Sequence, residues 1–230
     1  MVNKIAECVA DAIGEVRDGA TVLIGGFGTA GVPEALIDGL LAHGCRDLTV
    51  VSNNAGNGDT GLAALLSNKR VRKIICSFPR AADSWVFDAL YRSGDIELEL
   101  VPQGNLAERM RAAGAGIGAF YTPTGYGTSM AQGREVREID GRMYVLEMPL
   151  AGDLALIKAE RGDRWGNLTY RKAARNFGPV MATAATRTVA SVHEVCPLGA
   201  IDPEHVVTPG IYVTQIVQVA RVPTRAVGTQ

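Results

Sequence analysis

The sequence is short of the side chains that announce chemistry by themselves. It has three histidines, His43, His193 and His205, in no H-x-x-H or H-E-x-x-H spacing, so no metal site is expected. Four cysteines, Cys8, Cys45, Cys76 and Cys196, lie far apart with no C-x-x-C pair. That excludes a zinc ribbon or a dithiol redox pair, and fits reduced thiols in a cytoplasmic chain. Neither sign of charge is in excess: 23 Lys and Arg against 24 Asp and Glu leave a net charge of −1, without the basic face of a nucleic-acid binder. No apolar run approaches the length of a membrane span. The first residues carry Glu7 and Asp11 and no apolar core, unlike a signal peptide. A G-x-S-x-G elbow, a P-loop lysine and an acid pair are missing as well, so the chain shows no evident nucleophile or base of its own.

Glycine, by contrast, is plentiful, and its placement is informative. In Asp18-Gly19-Ala20-Thr21-Val22-Leu23-Ile24-Gly25-Gly26-Phe27-Gly28-Thr29-Ala30-Gly31-Val32-Pro33, an aliphatic strand runs through a glycine-rich turn into a helix. Such a turn lets the backbone approach a ligand closely and aims free N–H groups at an anion. Gly26, Gly28 and Gly31 also spell G-x-G-x-x-G. The dinucleotide reading needs an acid at the end of the second strand for the ribose hydroxyl. Here Leu48–Ser52 ends in Asn53-Asn54, and the next carboxylate is Asp59, which weighs against a nicotinamide cofactor.

Strand and helix patterns alternate through the first half, which predicts an α/β fold: a mostly parallel central sheet flanked by helices. The expected helices are Ile5–Val16, Pro33–Ala42, Thr60–Ser67, Ser84–Arg92 and one capped by Asn105, with Glu108 completing the cap, running to about Ala113. The expected strands are Thr21–Ile24, Leu48–Ser52, Val71–Cys76 and Ile96–Val101. Gly114 to Thr128, with five glycines, reads as an irregular loop. Asp140-Gly141 between Val136–Ile139 and Arg142–Glu147 is a hairpin signal. Leu154–Ala159 and Leu168–Arg171 bracket a turn at Gly162-Asp163, and Thr188–Val192 and Ile211–Val219 close the series. We read one domain over residues 1–222 and a flexible tail at 223–230.

Three strand ends, after Ile24, Ser52 and Val101, thus present glycine, Asn53-Asn54 and Gln103 at one sheet edge. That is an amide-rich pocket suited to polarising a carbonyl. Asn53 and Asn54 also suit an ordinary turn, and Gln103 also suits a loop-holding role. Cys76, at the end of the strand Val71–Cys76, is a candidate catalytic cysteine, but the reading as a small buried hydrophobe is favoured. Glu34, Glu108 and Glu147 have solvated or capping explanations.

Several segments together resemble the α (A) subunit of the family I coenzyme A-transferases: Asp18-Gly19, Gly25-Gly26-Phe27 and Gly31-Val32-Pro33; Ser52-Asn53-Asn54-Ala55-Gly56; Val101 through Arg109; Thr122 through Thr128; Gly162 through Leu168; and Arg171 through Pro179. The resemblance covers nearly the whole chain and implies a CoA-transferase-like fold with an added β-hairpin. It implies transfer of CoA from succinyl-CoA to a 3-oxoacid, 3-oxoadipate of bacterial aromatic degradation before acetoacetate, through a glutamyl-CoA thioester. A non-catalytic CoA- or sugar-phosphate-binding module is the alternative of another class. In the family the reacting glutamate lies in the B subunit, in a Ser-Glu-Asn-Gly type motif that this sequence lacks. The implied partner is therefore a B subunit in an A2B2 heterotetramer, with CoA as co-substrate and no permanently bound cofactor. By the same resemblance Gly25, Gly26, Phe27, Gly28, Thr29, Ala30 and Gly31 form the CoA-binding loop. Asn53, through its backbone N–H, and Gln103 would position the reacting acyl group. The acceptor's second carboxylate would need a cation; Arg80, Arg109 and Arg164 are candidates, but a solvated surface arginine is the default and none of them is assigned.

Overall fold

The computed structural model describes residues 2–81 and 83–221; the tail expected at 223–230 lies outside them. The first half alternates helix and strand: α1 (Val9–Ile13), β1 (Thr21–Ile24), α2 (Glu34–His43), β2 (Leu48–Val51), α3 (Leu62–Ser67), β3 (Val71–Cys76), α4 (Trp85–Ser93), β4 (Glu97–Leu100) and α5 (Gln103–Gly114). Then follow β5 (Phe120–Thr122), β6 (Val136–Ile139), β7 (Arg142–Glu147), β8 (Gly152–Asp163), β9 (Leu168–Thr169), α6 (Gly178–Ala184), β10 (Ala185–Cys196) and β11 (Gln215–Gln218).

The main sheet has the order β11-β10-β8-β1-β2-β3-β4, parallel throughout except for β9, which pairs antiparallel with the end of β8. Successive strand side chains point to opposite faces, and both faces are apolar here. Val22, Ile24, Val50, Ile74, Leu154 and Leu156 pack under α1, α2, α3 and α4. Leu23, Val51, Ile75, Ala155, Ile157 and Ala190 pack under α5 and α6. This burial on both faces is why the strands read as continuous aliphatic runs. A separate antiparallel sheet, β5-β7-β6, contains the expected hairpin. Asp140 (φ +51°) and Gly141 (φ +73°) both take positive φ, as its two-residue turn requires. No helix among the described residues is long and apolar enough to cross a membrane.

Several elements differ from the sequence reading. The first helix is only Val9–Ile13, because the backbone around Ile5 pairs with Ile216 instead and Gly14 turns the chain out at φ +56°. Asn105 is not a cap: α5 begins at Gln103, after Pro102, and Asn105 is buried inside it. The stretch 114–128 is not loop throughout, since it completes α5 and supplies β5. Gly162 and Asp163 stay in β8, and the reversal falls at 164–167. There Asp163 Oδ1 accepts from the Trp165 and Asn167 N–H groups at 2.9 and 3.1 Å. The helix α6 has no counterpart in the sequence pattern, and the last strand is confined to Gln215–Gln218.

Candidate active site

In an open parallel sheet, ligands bind beyond the carboxyl ends of the strands where the strand order reverses. Here β1 is followed outward by β2 on one side, while its other neighbour, β8, arrives late in the sequence. The glycine-rich loop leaves β1 at that point. It opens onto a cavity of about 180 Å³ lined by Gly25, Gly26, Thr29, Asn54 and Gly56, with Glu34 of the first turn of α2.

The loop is a tight reversal. Phe27 and Ala30 exchange two backbone hydrogen bonds of 3.0 Å across Gly28 and Thr29. Gly28 has φ +58° and no protein atom within 4 Å of where a Cβ would stand, so it faces open space. Gly31 is the opposite case. At φ +71°, its Cβ would lie 2.4 Å from the Ala174 carbonyl oxygen and 2.6 Å from Asn176 Nδ2. What crowds it is a residue the sequence reading did not single out. Asn176 Oδ1 accepts from the Gly26 N–H (3.0 Å) and from the Phe177 N–H (2.7 Å). Its Nδ2 donates to the Ala30 carbonyl at 3.0 Å, and lies 3.1 Å from the carbonyls of Ala173 and Ala174. One amide thus clamps the loop to the segment 173–177. Its sequence cues were an Asn two residues before Gly178-Pro179, which any turn explains, and its place in the segment 171–179 that carries the resemblance.

Asn53 and Gln103, placed at one edge by the strand pattern, meet directly. Gln103 Nε2 donates to Asn53 Oδ1 at 2.7 Å, and Ser77 Oγ donates to the same oxygen at 2.9 Å. The Asn53 carbonyl accepts from the N–H groups of Ser77 and Phe78. Its own N–H is different. The β1–β2 ladder runs through Leu23 and Val51, but the N–H of Asn53, the next rung, has no hydrogen-bond partner among the described residues. Asn53 is only 5% exposed, and buried backbone N–H groups are nearly always paired. A side chain held from two sides thus presents an unused donor at the split between β1 and β2. Asn54 closes its own turn, Oδ1 accepting from the Gly56 N–H at 2.9 Å, while Ser84 Oγ donates to the Gly56 carbonyl at 2.9 Å.

Cys76 is fully buried at the end of β3, and burial, partly offset by the Phe78 N–H, pushes its thiol up to about 12. It is no nucleophile at neutral pH. No group of three or more His, Cys, Asp or Glu among the described residues could hold a metal. The candidate cations are engaged, Arg164 included. Arg80 pairs with Asp88 at 2.7 Å. Arg109, expected to be solvated, is 9% exposed; it binds Glu99 Oε1 at 2.8 Å and the Met148 carbonyl at 2.9 Å. Glu147 is buried too, correcting its solvated reading: it accepts from Asn105 Nδ2 at 2.9 Å and contacts the Arg134 guanidinium.

Comparison with known proteins fits this geometry. The profile of the family described as coenzyme A transferase matches residues 6–219. The A subunit of the 3-oxoadipate CoA-transferase of Pseudomonas putida is 66% identical over 220 residues, 96% of this chain and 95% of that one. Its counterpart from Acinetobacter baylyi is 62% identical over 226 residues, 98% and 99% of the two chains. In fold, the chain resembles an acyl-CoA transferase of Escherichia coli O157:H7 solved as a thioester complex with CoA. The TM-score is 0.81 at 22% identity, over 94% of this chain and 47% of that one, so the present chain spans about half of that structure. With the profile matching residues 6–219 and both relatives matched along nearly their whole length, the chain belongs to the coenzyme A transferase family.

Proposed function

We propose that the chain is the A subunit of an enzyme that moves CoA from succinyl-CoA to 3-oxoadipate, with the reacting glutamate supplied by a B subunit in an A2B2 assembly. The observation that carries this is the unused Asn53 N–H beside the glycine-rich loop, at an edge that supplies hydrogen-bond donors and has one lining carboxylate. That carboxylate, Glu34, is exposed in the first turn of α2. The relatives support this choice of acceptor. Those at 66% and 62% identity are named for 3-oxoadipate, whereas a Bacillus subtilis relative, named as the corresponding half of a probable succinyl-CoA:3-ketoacid transferase, is 48% identical.

In this reading the partner's glutamate attacks the succinyl-CoA carbonyl and CoA thiolate leaves, giving a mixed anhydride. The thiolate then attacks the glutamyl carbonyl and releases succinate. The carboxylate of 3-oxoadipate attacks the resulting thioester, forms a second anhydride and frees the thiolate. That thiolate attacks the acceptor's acyl carbonyl to give 3-oxoadipyl-CoA and restore the glutamate. Each attack passes through an oxyanion, and a donor fixed in advance at that position lowers its energy without reorganisation. Gln103 and Ser77 hold Asn53 in that role, and the Gly25–Gly31 loop carries the CoA arm past it.

The test is co-expression with a B chain. The single chain is expected to be inactive and the mixture active, using 3-oxoadipate in preference to acetoacetate. Hydroxylamine trapping of the thioester followed by peptide mass spectrometry is expected to mark a glutamate of the partner. A mark on Glu34, or transferase activity from this chain alone, would overturn the division of labour. A preference for acetoacetate would replace the acceptor.

A further inference from the structure

The clamp at Asn176 fixes more than the glycine-rich loop. The segment it holds is a 3-10 turn, Lys172–Arg175, entered through Arg171. Arg171, Lys172 and Arg175 are thus gathered within five consecutive residues of one turn. Arg171, Lys172 and Arg175 are all exposed, and none makes an ion pair or side-chain hydrogen bond among the described residues. Like charges brought together in one short turn repel. Lys172 also carries a left-handed φ of +50°, a conformation that disfavours a lysine. The chain as a whole has a net charge of −1, so this concentration of positive charge is local. It is also fixed to the ligand loop: the Ala174 carbonyl abuts Gly31, and Asn176 binds Gly26 and Ala30.

We propose that Arg171, Lys172 and Arg175 form a binding subsite for the phosphate groups at the nucleotide end of the CoA thioester. The inference rests on the coenzyme A reading given above. The layout suits a long ligand. The donor at Asn53 lies on the β2 side of the loop and the cationic turn on its β8 side, so the acyl end and the phosphates would meet the protein on opposite flanks of Gly25–Gly31. Guanidinium groups bind phosphate oxygens in pairs, with an ammonium as point charge beside them. Neither reacts; the subsite binds and orients.

The experiment uses the assembled enzyme and two donors, succinyl-CoA and succinyl-pantetheine, which lacks the nucleotide. In the double variant R171Q/R175Q, KM for succinyl-CoA is expected to rise about tenfold or more, the scale of one or two lost charge-assisted hydrogen bonds. KM for succinyl-pantetheine is expected to stay within about twofold, and the dependence of the succinyl-CoA KM on salt to weaken. Lys172→Gly is the second variant: glycine adopts φ +50° freely, so it removes charge while relieving backbone strain, and should raise the succinyl-CoA KM without lowering the melting temperature. Equal changes for both donors, an unchanged succinyl-CoA KM, or loss of co-elution with the B chain would each overturn the subsite, the last by making the turn a protein contact. A wild-type assembly that ignores succinyl-CoA strikes instead at the functional reading. Calorimetric titration of CoA itself into wild type and the double variant then still tests the subsite: weaker binding by the variant supports it and equal binding overturns it.

Discussion

Gly28 and Gly31 sit three residues apart in one loop and carry opposite constraints. At Gly31 a methyl group meets backbone oxygen at 2.4 Å and the φ is +71°, so neither the neighbour nor the residue can yield. Gly31→Ala is expected to destabilise the chain by about 3 kcal/mol, combining left-handed strain with overpacking, and to abolish transferase activity by displacing the loop. At Gly28 only the backbone strain remains. Gly28→Ala should cost about 1 kcal/mol, while a larger side chain there enters the space a ligand would use. Urea unfolding of both variants measures the first contrast, and the KM for CoA thioester in Gly28→Val the second. Equal losses at the two positions would mean that Asn176 and Ala174 do not set the loop's shape.

Among the elements, α5 joins the main sheet to the small one. Arg109 reaches Glu99 on β4 and the carbonyl of Met148 just past β7, and Asn105 reaches Glu147 at the end of β7. Lys73 on β3 adds a second cation to Glu99 at 2.8 Å. Burial pushes the Glu99 carboxyl up, but the bonds from Arg109 and Lys73 outweigh it and hold the group below its ordinary value. The unfolded state therefore takes up this proton at a higher pH than the folded one. The stabilisation is fully present above the unfolded carboxyl range, near 4.3, and is lost as pH falls through the lower folded value. Glu99→Gln is expected to lower stability at pH 7 and to flatten the acid limb of a melting-temperature profile between about pH 5 and 3. A variant with the wild-type acid slope would show that this carboxylate is not what couples stability to acid. Breaking the cluster from the other side, with Arg109→Met, should cost about 3 kcal/mol, because half-buried Glu99 and buried Glu147, 3.8 Å from the guanidinium, lose a cation.

This cluster also marks where sequence pattern stops being informative. The aliphatic runs of β1 and β2, the apolar end of β3 and the Asp140-Gly141 turn were legible because burial and positive φ leave local traces in residue type. The meeting of Gln103 with Asn53 was legible as far as the shared edge, since strand ends in a parallel sheet all point one way. Burial of Glu147 and Arg109 was not. Each satisfies the other's surroundings, and a paired charge looks like a solvated one in a single sequence. Asn105 followed the cap pattern, but Pro102 had already set the helix start three residues earlier. The helix α6 is seven residues with no capping side chain, so the core on α5 and β8 stabilises it, and local propensity does not reveal it.

For the whole molecule, the two packed faces decide what solvent can reach. Of the four thiols, Cys45, Cys76 and Cys196 are buried and only Cys8 is exposed. Burial raises all three inner thiols, so they lack both access and thiolate. A disulfide reagent at pH 7.5 is expected to react promptly with one thiol per chain, and with four only after denaturation. Two or more fast thiols would mean that one of the sheet's faces opens in solution.

The position of β8 in the main sheet has a consequence for how the chain is made. β1 pairs with β8, whose first partner residue, Leu154, lies 132 positions after Val22. On the ribosome, β1 to β4 and their helices can assemble while β8 is still unmade, leaving the β1 edge bare and unpaired. That bare edge adjoins the glycine-rich loop, and the later strand both seals it and brings in Asn176 to shape the loop. Ligand binding is thus among the last properties the nascent chain acquires, and the interval before β8 emerges is when its exposed edge is most open to pairing with another chain.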